Sequence, residues 1–202
     1  MTLDQGSFKS GYKISSLYFD DISDTCLRDT IDGNPCRSKY RIRVYNDSLS
    51  MIKLEVKTKV YNRCNKIGEE ISQEEMKKLI LGETIESNSH MQSARNLFNL
   101  AIQTRYLKPK LNVTYDRKAY ICETGNVRIT FDRNIRANDQ INMFPKPELV
   151  YDYPDDFGCV LEVKYDEVLP HYIAQTLEIN KLVQTSNSKY GICREIYERR
   201  IR

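Results

Sequence analysis

Apolar and polar residues alternate with a period of two through most of the chain, which is the pattern of strands with two unlike faces. The alternation predicts strands over residues 12–19, 38–45, 51–60, 63–71, 110–120, 126–132 and 159–165. Gly33-Asn34, Asn46-Asp47 and Gly125-Asn126 fall between these segments and read as turns. Helical spacing takes over elsewhere. Ser72 followed by Glu75 is a capping box that opens a short helix through Met76, Leu79 and Ile80, and Gly82 is placed to end it. Residues 90–106 carry Met91, Ala94, Leu97, Phe98 and Ala101 at helical spacing. Pro170 stands where a first turn begins, ahead of the stripe Ile173, Leu177 and Leu182. Residues 190–202 place Ile192, Cys193, Ile196 and Tyr197 on one face, with Arg199, Arg200 and Arg202 at a basic end. Three prolines mark 144–157 as a loop. No repeat or linker divides the chain, so residues 1–202 are expected to form one α+β domain around an antiparallel sheet.

The polar faces of these strands are unusual, because several are almost purely charged. Lys39, Arg41 and Arg43 oppose Tyr40, Ile42 and Val44, and Lys53, Glu55, Lys57 and Lys59 oppose Ile52, Leu54 and Val56. Arg128, Thr130 and Asp132 oppose Val127, Ile129 and Phe131, while Glu162 and Lys164 oppose Leu161, Val163 and Tyr165. A solvated outer surface explains any one of them. Two features point elsewhere when the strands are taken together. Arginine recurs on neighbouring positions of one face, and its planar fork suits phosphate oxygens better than solubility requires. A Glu-x-Lys pair also recurs, at Glu55-Lys57 and Glu162-Lys164. Side chains two apart on a strand stand roughly 7 Å apart on the same side. A carboxylate so placed can hold a divalent metal while the cation holds the phosphate it bridges. Turned into a closed barrel, such faces repel one another unless a polyanion and a cation fill the lumen.

Composition narrows the setting. The chain has 202 residues and 29% charged side chains, with a net charge of only +3, so the placement of charge says more than its sum. No apolar stretch is long enough to span a bilayer, and residues 1–10 hold no apolar signal core. Six scattered cysteines without a CxxC pair argue against zinc and against a disulfide framework, and read as reduced, small core thiols in a cytoplasmic protein. His90 and His171 are assigned to helices, in surface or capping roles. Lys53 and Lys59 read as solvated, and Asp132 as a partner for Arg128 or Arg117. Tyr115 and Tyr120 read as packing residues. The basic end of the chain lacks the interleaved aromatics of a nucleic-acid site.

Seven segments in order resemble the VTC domain: Ser16-Leu17-Tyr18-Phe19-Asp20, Lys39-Tyr40-Arg41-Ile42-Arg43-Val44-Tyr45, Leu54-Glu55-Val56-Lys57, Tyr115-Asp116-Arg117-Lys118-Ala119-Tyr120, Val127-Arg128-Ile129-Thr130-Phe131-Asp132, Leu161-Glu162-Val163-Lys164-Tyr165 and Ser188-Lys189-Tyr190. The VTC domain is one of the triphosphate tunnel metalloenzymes, the CYTH-like superfamily. The resemblance implies an antiparallel β-barrel tunnel with helices packed outside. It implies transfer of the ATP γ-phosphate to inorganic polyphosphate, with Mn2+ or Mg2+ and release of ADP. The residues it matches to catalysis on the triphosphate are Arg41, Arg43, Lys57, Arg117 and Arg128. Lys39, Lys66, Lys164, Ser188 and Lys189 match further phosphate-binding positions, and Glu162 and Glu55 the metal-binding carboxylates. Relatives open with a basic strand of the type Arg-x-Glu-x-Lys-Tyr. Residues 1–11 carry no such pattern, so a tunnel lacking its usual first strand is expected. The same tunnel would serve an inorganic triphosphate or tripolyphosphate hydrolase, or a polyphosphate-binding scaffold without turnover. A mostly basic wall with Glu-x-Lys strands favours the polymerase.

Overall fold

A computed structural model describes residues 1–4, 10–146, 151–152, 158–178 and 185–200. Among the described residues nine strands form one antiparallel sheet: β1 (Thr2–Leu3), β2 (Tyr12–Asp20), β3 (Cys36–Tyr45), β4 (Ser48–Val60), β5 (Arg63–Ile71), β6 (Lys108–Cys122), β7 (Val127–Asn138), β8 (Tyr151–Asp152) and β9 (Val160–Lys164). The spatial order is β5-β4-β3-β2-β6-β7-β8, with β1 paired to β6 and β9 to β7. The helices described with it are α1 (Thr25–Ile31), α2 (Gln73–Leu81), α3 (Ala94–Arg105), α4 (His171–Glu178) and α5 (Lys189–Arg200).

The expected strands are all present, and their pairing follows from local chemistry. Asn46 and Asp47 both adopt positive φ, as a two-residue hairpin loop demands, and this fixes Tyr45 opposite Ser48. Beyond a shift of register between Tyr45 and Arg43, the ladder sets Arg43 beside Lys53, Arg41 beside Glu55 and Lys39 beside Lys57. All the charged positions of β3 and β4 therefore share one side of the sheet. The other side carries Ile42, Val44, Ile52, Leu54 and Val56, all buried against α2 and α3. Phe98 of α3 meets the edges of Phe19 and Tyr40 at 5.2 and 5.3 Å. Burying a ring of that size contributes about 1.5–3 kcal/mol. At the far end, Ile173 of α4 covers Val127 and Ile129 on the same apolar side.

The sheet is strongly curled into a half-barrel. The first turn of α5 and the residue before it touch both Lys39 on β3 and Asp132 on β7. Those strands are three ladders apart, about 14 Å across a flat sheet. The charged side is the concave one. Among the described residues, no ladder joins β5 to β8 or β9, so the inner wall stays open along that seam. α1 and α5 lie against part of this inner side, where Ile14, Leu111, Val113 and Ile135 pack on Tyr190 and Cys193.

Several expectations are corrected. α1 was not expected, because its seven residues show no apolar periodicity. It is held by the fully buried carboxylate of Asp20, which accepts from the backbone N–H groups of Cys26 and Leu27 at 2.9 Å. The helix expected over 90–106 begins at Ala94, capped by Ser93, so His90 lies ahead of it and Met91 is exposed. The loop of 144–157 contains β8. Only Cys26 and Cys193 are buried; Cys36, Cys64 and Cys159 are exposed and Cys122 is intermediate, so most of the thiols are not core residues. All six are free. β1 is a two-residue strand, followed by Asp4, which meets Arg128. Leu182 and the side chains of Arg199, Arg200 and Arg202 lie outside the described residues.

Candidate phosphate-binding tunnel

The concave wall has three zones. In the middle, Glu55 is buried and gathers three cations. Arg41 Nε donates to its Oε2 at 2.6 Å, Lys66 Nζ stands 2.5 Å from Oε1, and Arg43 lies 3.7 Å from Oε2. Burial alone would raise the Glu55 carboxyl, but Arg41, Arg43 and Lys66 outweigh it and hold it at about 2. Arg41 also donates to the Tyr18 hydroxyl at 3.1 Å and lies over the Tyr18 ring. Burial pushes that phenol up, yet Arg41, Arg43 and Lys39 hold it below its ordinary value. Arg43 is nearly buried and donates to Ser16 Oγ at 3.3 Å.

Toward one mouth, Arg37, Lys39, Lys57 and Lys59 line a cavity of about 520 Å3 together with Ser188 at the start of α5. Ser188 Oγ accepts from Lys39 Nζ at 3.0 Å and from the Gly191 N–H at 3.2 Å, which caps α5. Lys59, expected to be solvated, thus lines the cavity, because the β3–β4 ladder puts it opposite Arg37.

The third zone belongs to β6, β7 and β9. Asp132 is fully buried and grips Arg117 through two hydrogen bonds of 2.7 Å, with Lys189 at 2.8 Å from the same carboxylate. Burial would raise Asp132, but these cations keep it below the usual carboxylate range. Of the two partners expected for Asp132, Arg117 is the one chosen. Arg128 turns instead to Asp4, at 2.7 Å. Tyr115 is core, as expected, and its ring lies under both Arg117 and Lys189. Glu162 is 40% exposed and only loosely held, 3.3 Å from Lys164 and 3.8 Å from Arg117.

Every residue singled out from the sequence therefore reaches the inner wall, in three zones rather than one. Asp4, Arg37 and Tyr18 were missed. Asp4 and Arg37 fall outside the periodic segments, and Tyr18 lies in one but carries no charge to mark it.

The donor set bears on a metal. Among the described residues no three or more His, Cys, Asp or Glu side chains cluster. Glu55 and Asp132 are saturated by cations, whereas Glu162 keeps oxygen to offer. Its cross-strand partner Thr130 carries a buried hydroxyl with no hydrogen-bond partner. One carboxylate, one hydroxyl, water and phosphate oxygens are a fitting donor set for Mg2+ or Mn2+.

A curled antiparallel sheet with a cationic inner wall and a terminal helix against it defines an α+β protein of the triphosphate tunnel class. The chain belongs to the VTC domain family, which matches it over residues 1–197. Among solved structures it is similar to a candidate adenylate cyclase from Bacillus halodurans, at 16% identity and TM-score 0.52, over 92% of this chain and 82% of that one. It is also similar to a protein of Pyrococcus horikoshii OT3, at 16% identity and TM-score 0.38, over 86% and 75% of the two chains. No curated protein matches it. The family places the chain in a superfamily of polyphosphate-related phosphotransferases. Among the described residues no helix is long and apolar enough to cross a membrane.

Proposed function

We propose that this domain is a polyphosphate polymerase that transfers the γ-phosphate of ATP to the end of an inorganic polyphosphate chain and releases ADP. The observation that carries this reading is the excess of positive charge on the inner wall. Glu55 is shared by three cations, and Lys39, Lys57 and Lys59 form no ion pair among the described residues. A wall so charged is relieved by a polyanion.

Phosphoryl transfer asks for positioning and charge neutralisation more than for a protein nucleophile. Arg41, Arg43 and Lys57 hold the triphosphate from one side, with Lys39 and Lys66 beside them. Arg117, Arg128, Lys164 and Lys189 approach from the other, and Ser188 orients Lys39. A terminal oxygen of the chain attacks the γ-phosphorus, the new P–O bond forms in line, and the bond to the β-phosphate oxygen breaks as ADP leaves. Glu162, with the Thr130 hydroxyl, would hold Mn2+ or Mg2+, which supplies charge neutralisation on the phosphate oxygens when bound. Glu55 is better suited as a counter-ion that keeps Arg41 and Lys66 in place than as a metal ligand. The proposal takes a soluble, cytoplasmic setting, with ATP and polyphosphate as partners and no nucleic acid.

The test is to incubate the protein with ATP and Mn2+ and resolve ADP, free phosphate and long chains. Long chains with ADP are expected. Free phosphate from tripolyphosphate without chains would replace the proposal with a hydrolase, and binding without turnover would replace it with a scaffold. Glu162→Gln should lower metal-dependent turnover and weaken Mn2+ binding measured directly by electron paramagnetic resonance. Unchanged Mn2+ binding removes Glu162 from the metal site.

A further inference from the structure

We infer that Tyr190 and Arg194 are positioning residues for phosphate binding: anchored on Asp20 and Asp24, they set the height and rotation of α5 and so deliver Lys189 and Ser188 to the inner wall. This rests on the phosphate-binding reading of the wall and deepens it.

The start of α5 bridges the half-barrel, so it must meet two distant strands at once. Ser188 Oγ accepts from Lys39 on β3, while Lys189 Nζ reaches Asp132 on β7 at 2.8 Å. Such a fit is sensitive to the seating of the helix. A slip of one residue moves a helix by about 1.5 Å along its axis and turns it by about 100°. That would take Lys189 from Asp132 and Ser188 from Lys39. Tyr190 and Cys193 press α5 onto Ile14, Leu111, Val113 and Ile135, but apolar burial is non-directional and does not choose between neighbouring seatings.

Directional bonds make that choice. Tyr190 and Arg194 stand one turn apart on the same face of α5. The Tyr190 hydroxyl donates to Asp20 Oδ2 at 3.0 Å and accepts from Arg194 Nη1 at 3.1 Å. Burial and the Asp20 carboxylate push this phenol up, so it stays a donor. The same guanidinium forks onto Asp24, with Nη1 3.1 Å from Oδ1 and Nη2 3.0 Å from Oδ2. A fork of that shape fixes orientation as well as distance. The anchors themselves do not depend on α5. Asp20 already accepts from the backbone N–H groups of Asp21, Cys26 and Leu27 at 2.9 Å, and Asp24 meets Lys110 at 3.0 Å. Both acids belong to the corner between β2 and α1, so α5 is referenced to a point that the sheet builds first. The Tyr190 ring also stacks on Tyr18 at 4.9 Å, and Tyr18 accepts from Arg41 in the central zone. Tyr190 and Arg194 are both buried, and they act through the side chains that α5 carries rather than on phosphate.

The experiment is a mutant cycle on the full chain, reading tripolyphosphate affinity by isothermal titration calorimetry well below the melting point of each variant. Tyr190→Phe with Arg194→Lys keeps the ring and the net charge and loses only the hydroxyl and the fork. It should weaken tripolyphosphate about fivefold, as should Lys189→Met alone. All three changes together should weaken it little more than Lys189→Met does, because the anchors act through that lysine. An unchanged affinity in the anchor variant overturns the inference, even if its melting point falls. So does full multiplication of the two effects. Tyr190→Phe alone is read in the same way if the anchor variant does not fold. An unchanged affinity in Lys189→Met beside a weakened Arg41→Ala also overturns it, since nothing is then positioned. Failure of Arg41→Ala to weaken tripolyphosphate would instead sink the phosphate-binding reading beneath it.

Discussion

On β6, β7 and β9 the inward cations are met by acids: Arg117 sits on Asp132, Arg128 on Asp4 and Lys164 near Glu162. On β3, β4 and β5 one carboxylate, Glu55, serves Arg41, Arg43 and Lys66, and the rows beyond it have no ion pair among the described residues. Both halves arise from the same alternation of charged and apolar positions. They differ in electrostatic balance, and that difference separates their work. In the half that neutralises itself, buried acids frame the wall and fix the cations that the proposed function turns to phosphate, with Glu162 left loosely held at its rim. A half that does not neutralise itself keeps an excess of positive charge, on which the proposed phosphate binding rests. Buried ion pairs of the first kind are weak sources of net stability but strongly destabilising to break.

The largest expected effect lies in the self-neutralised half. Asp132→Asn leaves Arg117 and Lys189 without their buried acid and should cost about 3–5 kcal/mol, seen as a lower thermal midpoint. Glu162→Gln, at a half-exposed site, should cost under about 1 kcal/mol. If the two variants melt alike, the contrast between frame and rim is wrong.

Next comes Glu55→Gln. It should cost less than Asp132→Asn, about 2 kcal/mol, because Lys66 is half in solvent and can keep its own hydration. Unlike the Asp132 variant, it should regain part of that loss on addition of tripolyphosphate, which would take over the role of counter-ion. The pH dependence sharpens the point. The folded state holds Glu55 at about 2 against an ordinary value of 4.5. The stability it contributes is therefore complete above 4.5 and is lost as the pH falls through about 2. Acid titrations of the parent and of Glu55→Gln should converge over that window; parallel curves would mean that Glu55 is not the ionised hub of this half.

The smallest effect is at Lys39. With its pKa lowered by burial and by Lys57 and Arg37, it loses its charge at a lower pH than an ordinary lysine. Affinity for tripolyphosphate should begin to fall at correspondingly lower alkaline pH. Lys39→Arg, which keeps its charge, should move that decline upward by a measurable fraction of a unit in a calorimetric pH series. An unmoved decline would place Lys39 outside the phosphate contacts.

The period-two alternation determined the strands, and the opposed sets on each strand determined which side chains share a face. Leu54, Val56, Ile42 and Val44 could be assigned to the core, and Arg41, Arg43, Lys57, Arg117, Arg128 and Glu162 to a common charged side, because pleat geometry is a local property of consecutive residues. The capping box at Ser72 and the hairpin at Asn46-Asp47 were legible for the same reason, since their hydrogen bonds close within a few residues. α1 was not, because the carboxylate that caps it comes from the end of β2 and its helix lacks an apolar stripe. The pairing of charges was likewise beyond local reading. Whether Asp132 takes Arg117 or Arg128, and whether Glu55 is a free metal ligand or a hub for three cations, depends on ladders between residues distant in sequence. The direction of the charged side, toward the lumen rather than the solvent, is set by curl. Curl comes from the twist and packing of the whole sheet, and no single strand carries it.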